Sequence, residues 1–354
     1  TERPDMGIFM REWQALHDSR AGERGVFNRE ASVRLMPERR DPDHDFGTNP
    51  CSEIVLRPAQ FCNLSEVVCR ASDTTEDLHR KVELATILGT LQATLVDFRY
   101  LRKVWYDNTA EERLLGVSLT GIMDSPLLSE GYYETPDLLM DLKEKSIAIN
   151  KRYSRILGIP QSSAITCVKP SGTVSQLVNS SSGIHPRYSA YYIRRVRSDV
   201  NDPITIALQE AGVPCEVSSH NPREMVFSFP VASPPDAKTV ENVSAIKQLD
   251  HWKMFAVDFC EHKPSVSIYV RENEWLEVGA WVYKNWDIMS GVSFFPYDDH
   301  MYVQAPYEAI TEEKYNELAA AMPTFDLSTL IMDEYEDATT ASQELACAGG
   351  ACEL

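Results

Sequence analysis

The sequence has no long hydrophobic run, no secretory leader pattern and no excess of positive charge. No apolar stretch in its 354 residues reaches the roughly 18 to 20 residues of a membrane-spanning helix. The first residues, TERPDMGIFMREWQ, lack the apolar core of a signal peptide. A formal net charge of −19 would repel a nucleic-acid backbone. We therefore expect a cytoplasmic protein that binds neither membranes nor nucleic acids in general.

Cysteines, in contrast, are plentiful for a protein that we expect to be cytoplasmic. In a reducing compartment, paired cysteines more often indicate redox chemistry or a metal site than structural disulfides. The eight cysteines are Cys51, Cys62, Cys69, Cys167, Cys215, Cys260, Cys347 and Cys352. We interpret the middle four, from Cys69 to Cys260, as packing residues.

Strand-like and helix-like segments alternate along the chain, and no internal repeat is visible. This order predicts an α/β protein with a mostly parallel sheet. The strongest helix signal runs from Asp73 to Asn108, with Asp73 as the cap and Glu76 at the capping-box position. Within it, leucine and isoleucine recur at spacings of three and four residues, which predicts one buried face. These residues are Leu84, Ile87, Leu88, Leu91 and Leu95.

The segment NPCSE places a thiol between an amide and a carboxylate. Pro50 favours extended backbone at Asn49, so Asn49, Cys51 and Glu53 are expected to share one face. The carboxylate would disfavour a thiolate, which argues against a nucleophilic cysteine. A neutral thiol or thiyl radical, with Glu53 moving protons, fits better. Taken alone, the motif fits an ordinary buried strand cysteine at least as well.

The chain ends in the segment Cys347-Ala-Gly-Gly-Ala-Cys352, followed by two more residues. Glycine and small residues predict a flexible arm whose two thiols can exchange with a disulfide in a narrow pocket. A zinc site is the alternative, but zinc needs about four ligands and no second close pair accompanies this one. We therefore favour redox chemistry and predict no metal ligands.

A serine- and glycine-rich loop follows a strand-like run and opens an apparent helix. Backbone N–H groups and hydroxyls at such a position can bind an anion. The loop lacks the lysine of a nucleotide-hydrolysing P-loop, and a simple helix cap explains it equally well. Its residues are Ser171, Gly172, Thr173, Val174 and Ser175.

Together and in this order, these segments resemble a ribonucleotide reductase, most closely the adenosylcobalamin-dependent ribonucleoside-triphosphate reductases of bacteria and phages. The resemblance extends over nearly the whole chain. It is carried by the segments AGERGVFNRE, NPCSEI, FCNLSEVV, ERLLGVSLTGIMD, KPSGTVSQLVNSSSGIHPRY, YYIRRVR, NEWLEVGAWVYKNWDI, DDHMYVQAPY and CAGGACEL.

The resemblance implies a fold and a role for each residue of the first motif. The chain would form the C-terminal half of a ten-stranded α/β barrel, with a finger loop near residues 47–62. Cys51 would become a thiyl radical that abstracts the ribose 3′-hydrogen. Glu53 would exchange the proton of the 3′-hydroxyl, and Asn49 would hydrogen-bond the ribose. Cys62 would be one of two thiols that reduce the substrate.

The resemblance also assigns the remaining motifs and the partners. Cys347 and Cys352 would regenerate the reducing thiols, with an external dithiol such as thioredoxin as the electron source. The loop from Ser171 to Ser175 would hold the phosphates of the ribonucleotide substrate, and the same likeness implies a triphosphate. Adenosylcobalamin would start the radical, in the cytoplasm of a bacterial or phage-infected cell.

Two other interpretations stay open at this point. The large subunit of an iron-dependent class I reductase would need stacked tyrosines near its C-terminus, whereas the comparable place reads His300-Met301-Tyr302. The third interpretation is a non-catalytic remnant that binds only nucleotides or a partner. Joint retention of the motif cysteines, Asn49 and Glu53 argues against decay.

The resemblance covers only the C-terminal half of the family's longer chain. We expect residues 1–325 to form that half of the barrel and residues 326–354 to form the flexible tail. The partner thiol of Cys62 would then lie on a separate N-terminal half chain, or on a segment joined by protein splicing.

Overall fold

The computed structural model describes residues 2–20, 24–129, 134–297 and 303–324. These residues form two compact units. The first unit contains the described residues of 2–186 and 242–297, and the second contains those of 187–241 and 303–324. The predicted division into a barrel part and a tail stays a prediction, because the tail lies outside the described residues.

The helices and strands of the first unit alternate along the chain. Its helices are α1 (Met6–Ser19), α2 (Arg29–Arg34), α3 (Thr75–Gln92), α4 (Lys103–Glu112), α5 (Pro126–Ser129), α6 (Thr135–Leu157), α7 (Val174–Leu177), α9 (Ala245–Met254) and α10 (Trp275–Lys284). Its strands are β1 (Gly25–Phe27), β2 (Gly47–Thr48), β3 (Val55–Leu56), β4 (Asn63–Val68), β5 (Leu115–Thr120), β6 (Thr166–Cys167), β10 (Ser267–Val270) and β11 (Gly291–Pro296).

Parallel pairing in the first unit runs across five strands. β4 pairs with β5, and β5 pairs with β6. A parallel bridge between Val168 and Pro264 continues this order to β10, which pairs with β11. β1 lies antiparallel on the far side of β11. The order β4-β5-β6-β10-β11 confirms the predicted α/β class, and five parallel strands are what half of a ten-stranded barrel would contain.

Helix α3 packs closely on the strands that precede and follow it. It begins after Thr74, whose side chain forms a capping box with Asp77, one residue later than predicted from Asp73 and Glu76. A Cβ atom at Gly89 would lie 3.4 Å from the side chain of Leu115 on β5. A Cβ at this distance would make an ordinary van der Waals contact, which shows that α3 lies directly against β5 at Gly89.

The predicted buried face of this helix is wrong. Leu84, Leu88 and Leu91 are exposed by 58%, 54% and 45%, and Leu95 lies beyond the end of α3 with 71% exposure. The residues that face the core are Leu78, Val82, Ala85, Thr86, Gly89 and Thr90. Periodicity identified the helix but not its inner face, which mixes large residues such as Leu78 and Val82 with small ones. The helix also ends at Gln92 and not at Asn108, with α4 as a separate element.

The second unit is built on an antiparallel sheet. Its strands β7 (Tyr191–Asp199), β8 (Cys215–Val217), β9 (Glu224–Ala232) and β12 (Tyr307–Ala309) follow the order β12-β7-β9-β8. Its helices are α8 (Pro203–Glu210) and α11 (Glu312–Ala321). A small core forms around Val213, Met225 and Phe227.

None of the helices in the described ranges combines the length and the apolar character that crossing a bilayer requires.

Candidate active site

The predicted finger loop is a hairpin of the first unit. β2 and β3 pair antiparallel, with Gly47 opposite Leu56 and Thr48 opposite Val55. Between them, the Ser52 N–H donates to the Asn49 carbonyl oxygen at 2.9 Å. Ser52 has φ of +67°, which a non-glycine residue adopts only at a cost of roughly 1 to 2 kcal/mol. Residues 49–52 therefore form a tight turn.

This turn differs from the extended segment predicted from Pro50. The Asn49 side chain accepts a hydrogen bond from the Ile54 N–H at 3.0 Å, so the amide closes the turn on its own backbone. Asn and Asp side chains favour such local bonds over extended structure. In consequence, Cys51 is exposed at the tip, whereas Glu53 is fully buried.

The chain segment just before β10 anchors the tip of the hairpin. Ser265 Oγ donates to the Cys51 carbonyl oxygen at 2.5 Å. Lys263 Nζ donates to the Ser52 carbonyl oxygen and, at 2.8 Å, to Ser52 Oγ. The Lys263 N–H donates to the Glu53 carbonyl oxygen at 3.2 Å. Three successive residues of the tip are thereby held from one segment of the sheet.

A buried ion pair supports the base of the same hairpin. Arg40 donates to the Val55 carbonyl oxygen at 2.9 Å. Its guanidinium also binds both oxygens of Glu112, at 2.8 and 3.0 Å. The side chains of Arg40 and Glu112 are 0% and 5% exposed. This two-point geometry is typical of strong charge-assisted hydrogen bonds.

Glu53 occupies an unusual place for a carboxylate. Its side chain has no exposed surface, and neither oxygen accepts a hydrogen bond from a described residue. Lys169 Nζ lies 3.6 Å from Glu53 Oε1. A buried charge is costly unless it is paired, and Lys169 places a cation within 4 Å of this carboxylate.

Cys62 precedes β4 and is partly buried. Burial and the negative charge of Glu53 raise the pKa of its thiol above the ordinary range, while Arg40 opposes the shift. The Cys62 thiol is therefore protonated at neutral pH. Thiyl-radical and dithiol chemistry can use a protonated thiol as a hydrogen donor, whereas nucleophilic catalysis needs the thiolate.

The predicted phosphate loop lies between β6 and α7. Ser171 and Ser175 are buried: Ser171 Oγ donates to Glu66 Oε2 at 2.7 Å, and Ser175 Oγ lies 2.8 Å from Ser182 Oγ. Gly172, Thr173 and Val174 are partly or fully exposed. Phosphate binding stays a prediction, and these three residues are the part of the loop that a ligand can reach.

The carboxylate beside this loop does not rule out an anionic ligand. Burial raises the pKa of Glu66, although the hydrogen bond from Ser171 and the charge of Lys169 act in the opposite direction. A protonated Glu66 would repel a phosphate less than a charged one.

The structure does not describe two of the predicted site residues. Cys347 and Cys352 are outside the described residues. Within the described ranges, no group of three or more His, Cys, Asp or Glu side chains is placed to hold a metal ion.

Sequence reasoning missed Lys169, Lys263, Glu66 and Arg40. Lys169 directly precedes the serine-rich loop, so its place in the sequence could have suggested it. The other three have no signal in the neighbouring sequence, because only the fold brings residues 40, 66 and 263 near residues 53–55.

Lys263 gives a testable pH dependence. Burial lowers its pKa to about 7, while Glu53 and Cys260 oppose the shift. Between about pH 7 and its ordinary pKa of 10.5, the folded protein binds fewer protons at this site than the unfolded chain. The free energy of unfolding should therefore rise with pH across this window. In Lys263→Met this part of the rise should be lost, as urea unfolding followed by tryptophan fluorescence at pH 6, 7, 8 and 9 would show. Equal slopes in both proteins would contradict the assignment.

Known proteins were compared with the chain and with its fold. No family model matches the chain. A curated relative from Lacticaseibacillus paracasei is 28% identical, over 96% of this chain and 50% of that protein. Another, from Lactobacillus acidophilus, is 29% identical, over 87% of this chain and 45% of that protein. Both are named adenosylcobalamin-dependent ribonucleoside-triphosphate reductase. The chain spans about half the length of these relatives.

Solved structures give the same result for the fold. A crystal structure of a B12-dependent (class II) ribonucleotide reductase superposes with a TM-score of 0.76 at 23% identity, covering 92% of this chain and 50% of that one. The α subunit of a class Id reductase from Actinobacillus ureae superposes with a TM-score of 0.55 at 13% identity, covering 82% and 61%. The resemblance and the fold predicted from the sequence are confirmed, and the class I alternative is not favoured.

Proposed function

We propose that this chain, a homologue of adenosylcobalamin-dependent ribonucleoside-triphosphate reductases, is the catalytic half of a class II ribonucleotide reductase. It would reduce ribonucleotides to deoxyribonucleotides for DNA synthesis. The names of the relatives give ribonucleoside triphosphates as the substrates. The observation that carries the proposal is the finger-loop tip, where Cys51 is exposed and Glu53, two residues on, is buried beside a lysine.

Each residue of the tip would have a separate role in the reaction. Adenosylcobalamin, when bound, would supply the radical, since protein side chains do not generate one unaided. An exposed Cys51 is reachable by such a large group. As a thiyl radical, Cys51 takes the hydrogen atom from ribose C3′, and Glu53 takes the proton of the 3′-hydroxyl. Asn49 would bind the ribose hydroxyls with its remaining hydrogen-bonding capacity, since its oxygen already closes the turn.

Loss of the 2′-hydroxyl as water needs two electrons and two protons from thiols. Cys62, held protonated by burial, would supply one of each, and a second thiol would supply the others as a disulfide forms. We propose that this second thiol lies on an N-terminal half chain. Cys347 and Cys352 would then reduce the disulfide and be reduced in turn by a thioredoxin-like dithiol in the cytoplasm.

The surface around β4 has features that favour binding of a partner chain. β4 pairs with β5 on one side, and no described strand pairs with its other edge. Unpaired parallel edges are normally covered. Leu64 on β4 and three leucines of α3 add exposed apolar area, which often marks an interaction surface. A chain that supplies the rest of the relatives' length would cover this edge.

Activity of the assembled protein tests the proposal. The chain is assayed for CTP and ATP reduction with adenosylcobalamin and dithiothreitol, alone and with an N-terminal half chain. We expect turnover only with both the cofactor and the half chain. Full turnover by the isolated chain would contradict the half-enzyme proposal. Stimulation by an iron-containing radical subunit in place of cobalamin would contradict the class.

The exposed leucines allow a separate test of the interface. Leu88→Asp should weaken association with the half chain by at least about tenfold, since a charge in an apolar interface costs about 1.4 kcal/mol or more. Leu276→Asp is the matched control, because Leu276 on α10 is exposed by 80% and lies on a different helix. Equal affinity of the two variants would place the interface elsewhere.

A further inference from the structure

Glu53 lies next to the junction between two strands of the parallel sheet. The bridge from Val168 to Pro264 joins the end of β6 to the segment before β10. The Val168 N–H donates to the Lys263 carbonyl oxygen at 3.3 Å, and the Ser265 N–H donates to the Val168 carbonyl oxygen at 2.9 Å. Lys169 follows this bridge directly, and Lys263 directly precedes it. The sheet itself therefore brings two lysines to the same buried carboxylate.

The ammonium groups of the two lysines contact different partners. The ammonium of Lys263 is already bound to Ser52, through its carbonyl and hydroxyl oxygens. Because burial also lowers its pKa to about 7, Lys263 carries only part of a charge at neutral pH. Lys169 is about one third exposed, and its ammonium lies 3.6 Å from Glu53 Oε1. Its backbone is fixed by a 2.8 Å hydrogen bond from its N–H to Ser118 Oγ.

We propose that Lys169 is a positioning residue whose ammonium keeps the buried Glu53 carboxylate charged and ready to accept a proton. This proposal rests on the proposed function for its catalytic meaning, but the ion pair can be tested without activity. The Glu53 carboxylate accepts no hydrogen bond from a described residue, so attraction to Lys169 at 3.6 Å and to the partly charged Lys263 is what opposes the cost of its burial. When Glu53 takes up a proton, Lys169 would favour its release again and so return the site to its starting state.

Other titratable groups also face Glu53 and must enter the interpretation of its titration. Its charge acts on residues from β4, β6 and the segments before β4 and β10. These groups are Glu66, Cys167, Cys62, Lys263 and Lys169 itself. Burial raises the pKa values of the Cys62 and Cys167 thiols, so both stay protonated in acid, whereas Glu66, with its raised pKa, and Lys263, with a pKa of about 7, can change charge together with Glu53.

A competing role for Lys169 is direct binding of the substrate phosphates, because it directly precedes the predicted phosphate loop. The two roles differ in kinetics. A residue that acts through Glu53 changes kcat and the pH profile, whereas a phosphate ligand changes mainly KM. The distance to Glu53 favours the first role.

The first experiment measures the protonation of Glu53 in the chain without substrate. Side-chain carboxyl signals of 13C-glutamate-labelled protein are followed by NMR from pH 3.5 to 8, with Glu53→Gln to assign the signal. In Lys169→Met the titration midpoint of Glu53 should move upward by about one pH unit or more, since loss of a cation favours the neutral acid. Lys169→Arg should keep the wild-type midpoint.

Lys145→Met is the matched control for this experiment. Lys145 is 30% exposed, against 32% for Lys169, and lies 2.9 Å from Glu83 on the outer helices. Its loss should leave the Glu53 midpoint unchanged. An unchanged midpoint in Lys169→Met as well would overturn the proposal.

The second experiment uses the assembled enzyme with nucleotide and adenosylcobalamin. Lys169→Met should shift the acid limb of the kcat profile to higher pH by about as much as the Glu53 midpoint, which lowers kcat on that limb by about tenfold per unit, with little change in KM. A raised KM with kcat retained would overturn the proposal in favour of phosphate binding. If the wild-type enzyme reduces no nucleotide, the proposed function fails, and the NMR midpoint still decides whether Lys169 controls Glu53.

Discussion

Cys51→Ser should abolish nucleotide reduction by the assembled enzyme and leave nucleotide binding intact. An O–H bond is much stronger than an S–H bond, so a serine cannot form the radical that abstracts the 3′-hydrogen. The expected loss is at least about a thousandfold in kcat, or about 4 kcal/mol of transition-state stabilisation. Cys51 is exposed at the tip and serine differs from cysteine by one atom, so the substitution should leave the fold intact.

The measurement is deoxynucleotide formation at saturating nucleotide, with binding followed separately by equilibrium dialysis. Cys215→Ser serves as the control, since Cys215 lies on β8 of the second unit and should leave turnover within about twofold of wild type. Reduction by Cys51→Ser at more than about a tenth of the wild-type rate would remove Cys51 from the mechanism.

The fold class could be predicted because it depends on the order of elements. Alternating strand and helix patterns specify parallel pairing almost regardless of which helix face is buried. The face of α3 could not be predicted in this way. Its exposed leucines satisfy the helical period as well as the residues of the buried face do, so only the folded structure shows which face packs on the strands.

The residue types of the candidate site could be proposed from the sequence, and their roles stay predictions, whereas the geometry of the site could not be proposed in this way. Asn49, Cys51 and Glu53 were identified by their chemistry, yet the backbone between them forms a turn, because the Asn49 amide bonds the Ile54 N–H. Lys169 and Lys263 reach the site through the bridge between β6 and β10. A contact between residues about a hundred positions apart leaves no periodic or spacing signal in a single sequence.

Arg40→Met should be the most destabilising single substitution of the hairpin. It would leave Glu112 as a buried charge without its cation and remove the hydrogen bond to the Val55 carbonyl. Breaking one side of a buried pair typically costs about 3 to 5 kcal/mol. Gln60 also donates to Glu112, but a neutral amide compensates a charge only in part.

Tryptophan fluorescence reports this effect on the first unit alone, because all six tryptophans lie in it. The urea midpoint of the fluorescence change should fall strongly in Arg40→Met. In Arg40→Met with Glu112→Leu it should fall less, since no charge remains buried alone. Arg34→Met, which breaks the exposed pair with Glu30, should change the free energy of unfolding by no more than about 0.5 kcal/mol.

The double variant separates stability from function at the hairpin. It replaces the buried ion pair by an apolar contact, but it does not restore the hydrogen bond to the Val55 carbonyl at the base of the finger loop. We therefore expect the urea midpoint of the double variant to recover towards the wild-type value. Its kcat in the assembled enzyme should stay at least about tenfold below wild type, because a small misplacement of a reacting group is costly. Recovery of both quantities would show that Arg40 only stabilises the fold. Recovery of stability alone would show that the Arg40 hydrogen bond holds Cys51 in its working position.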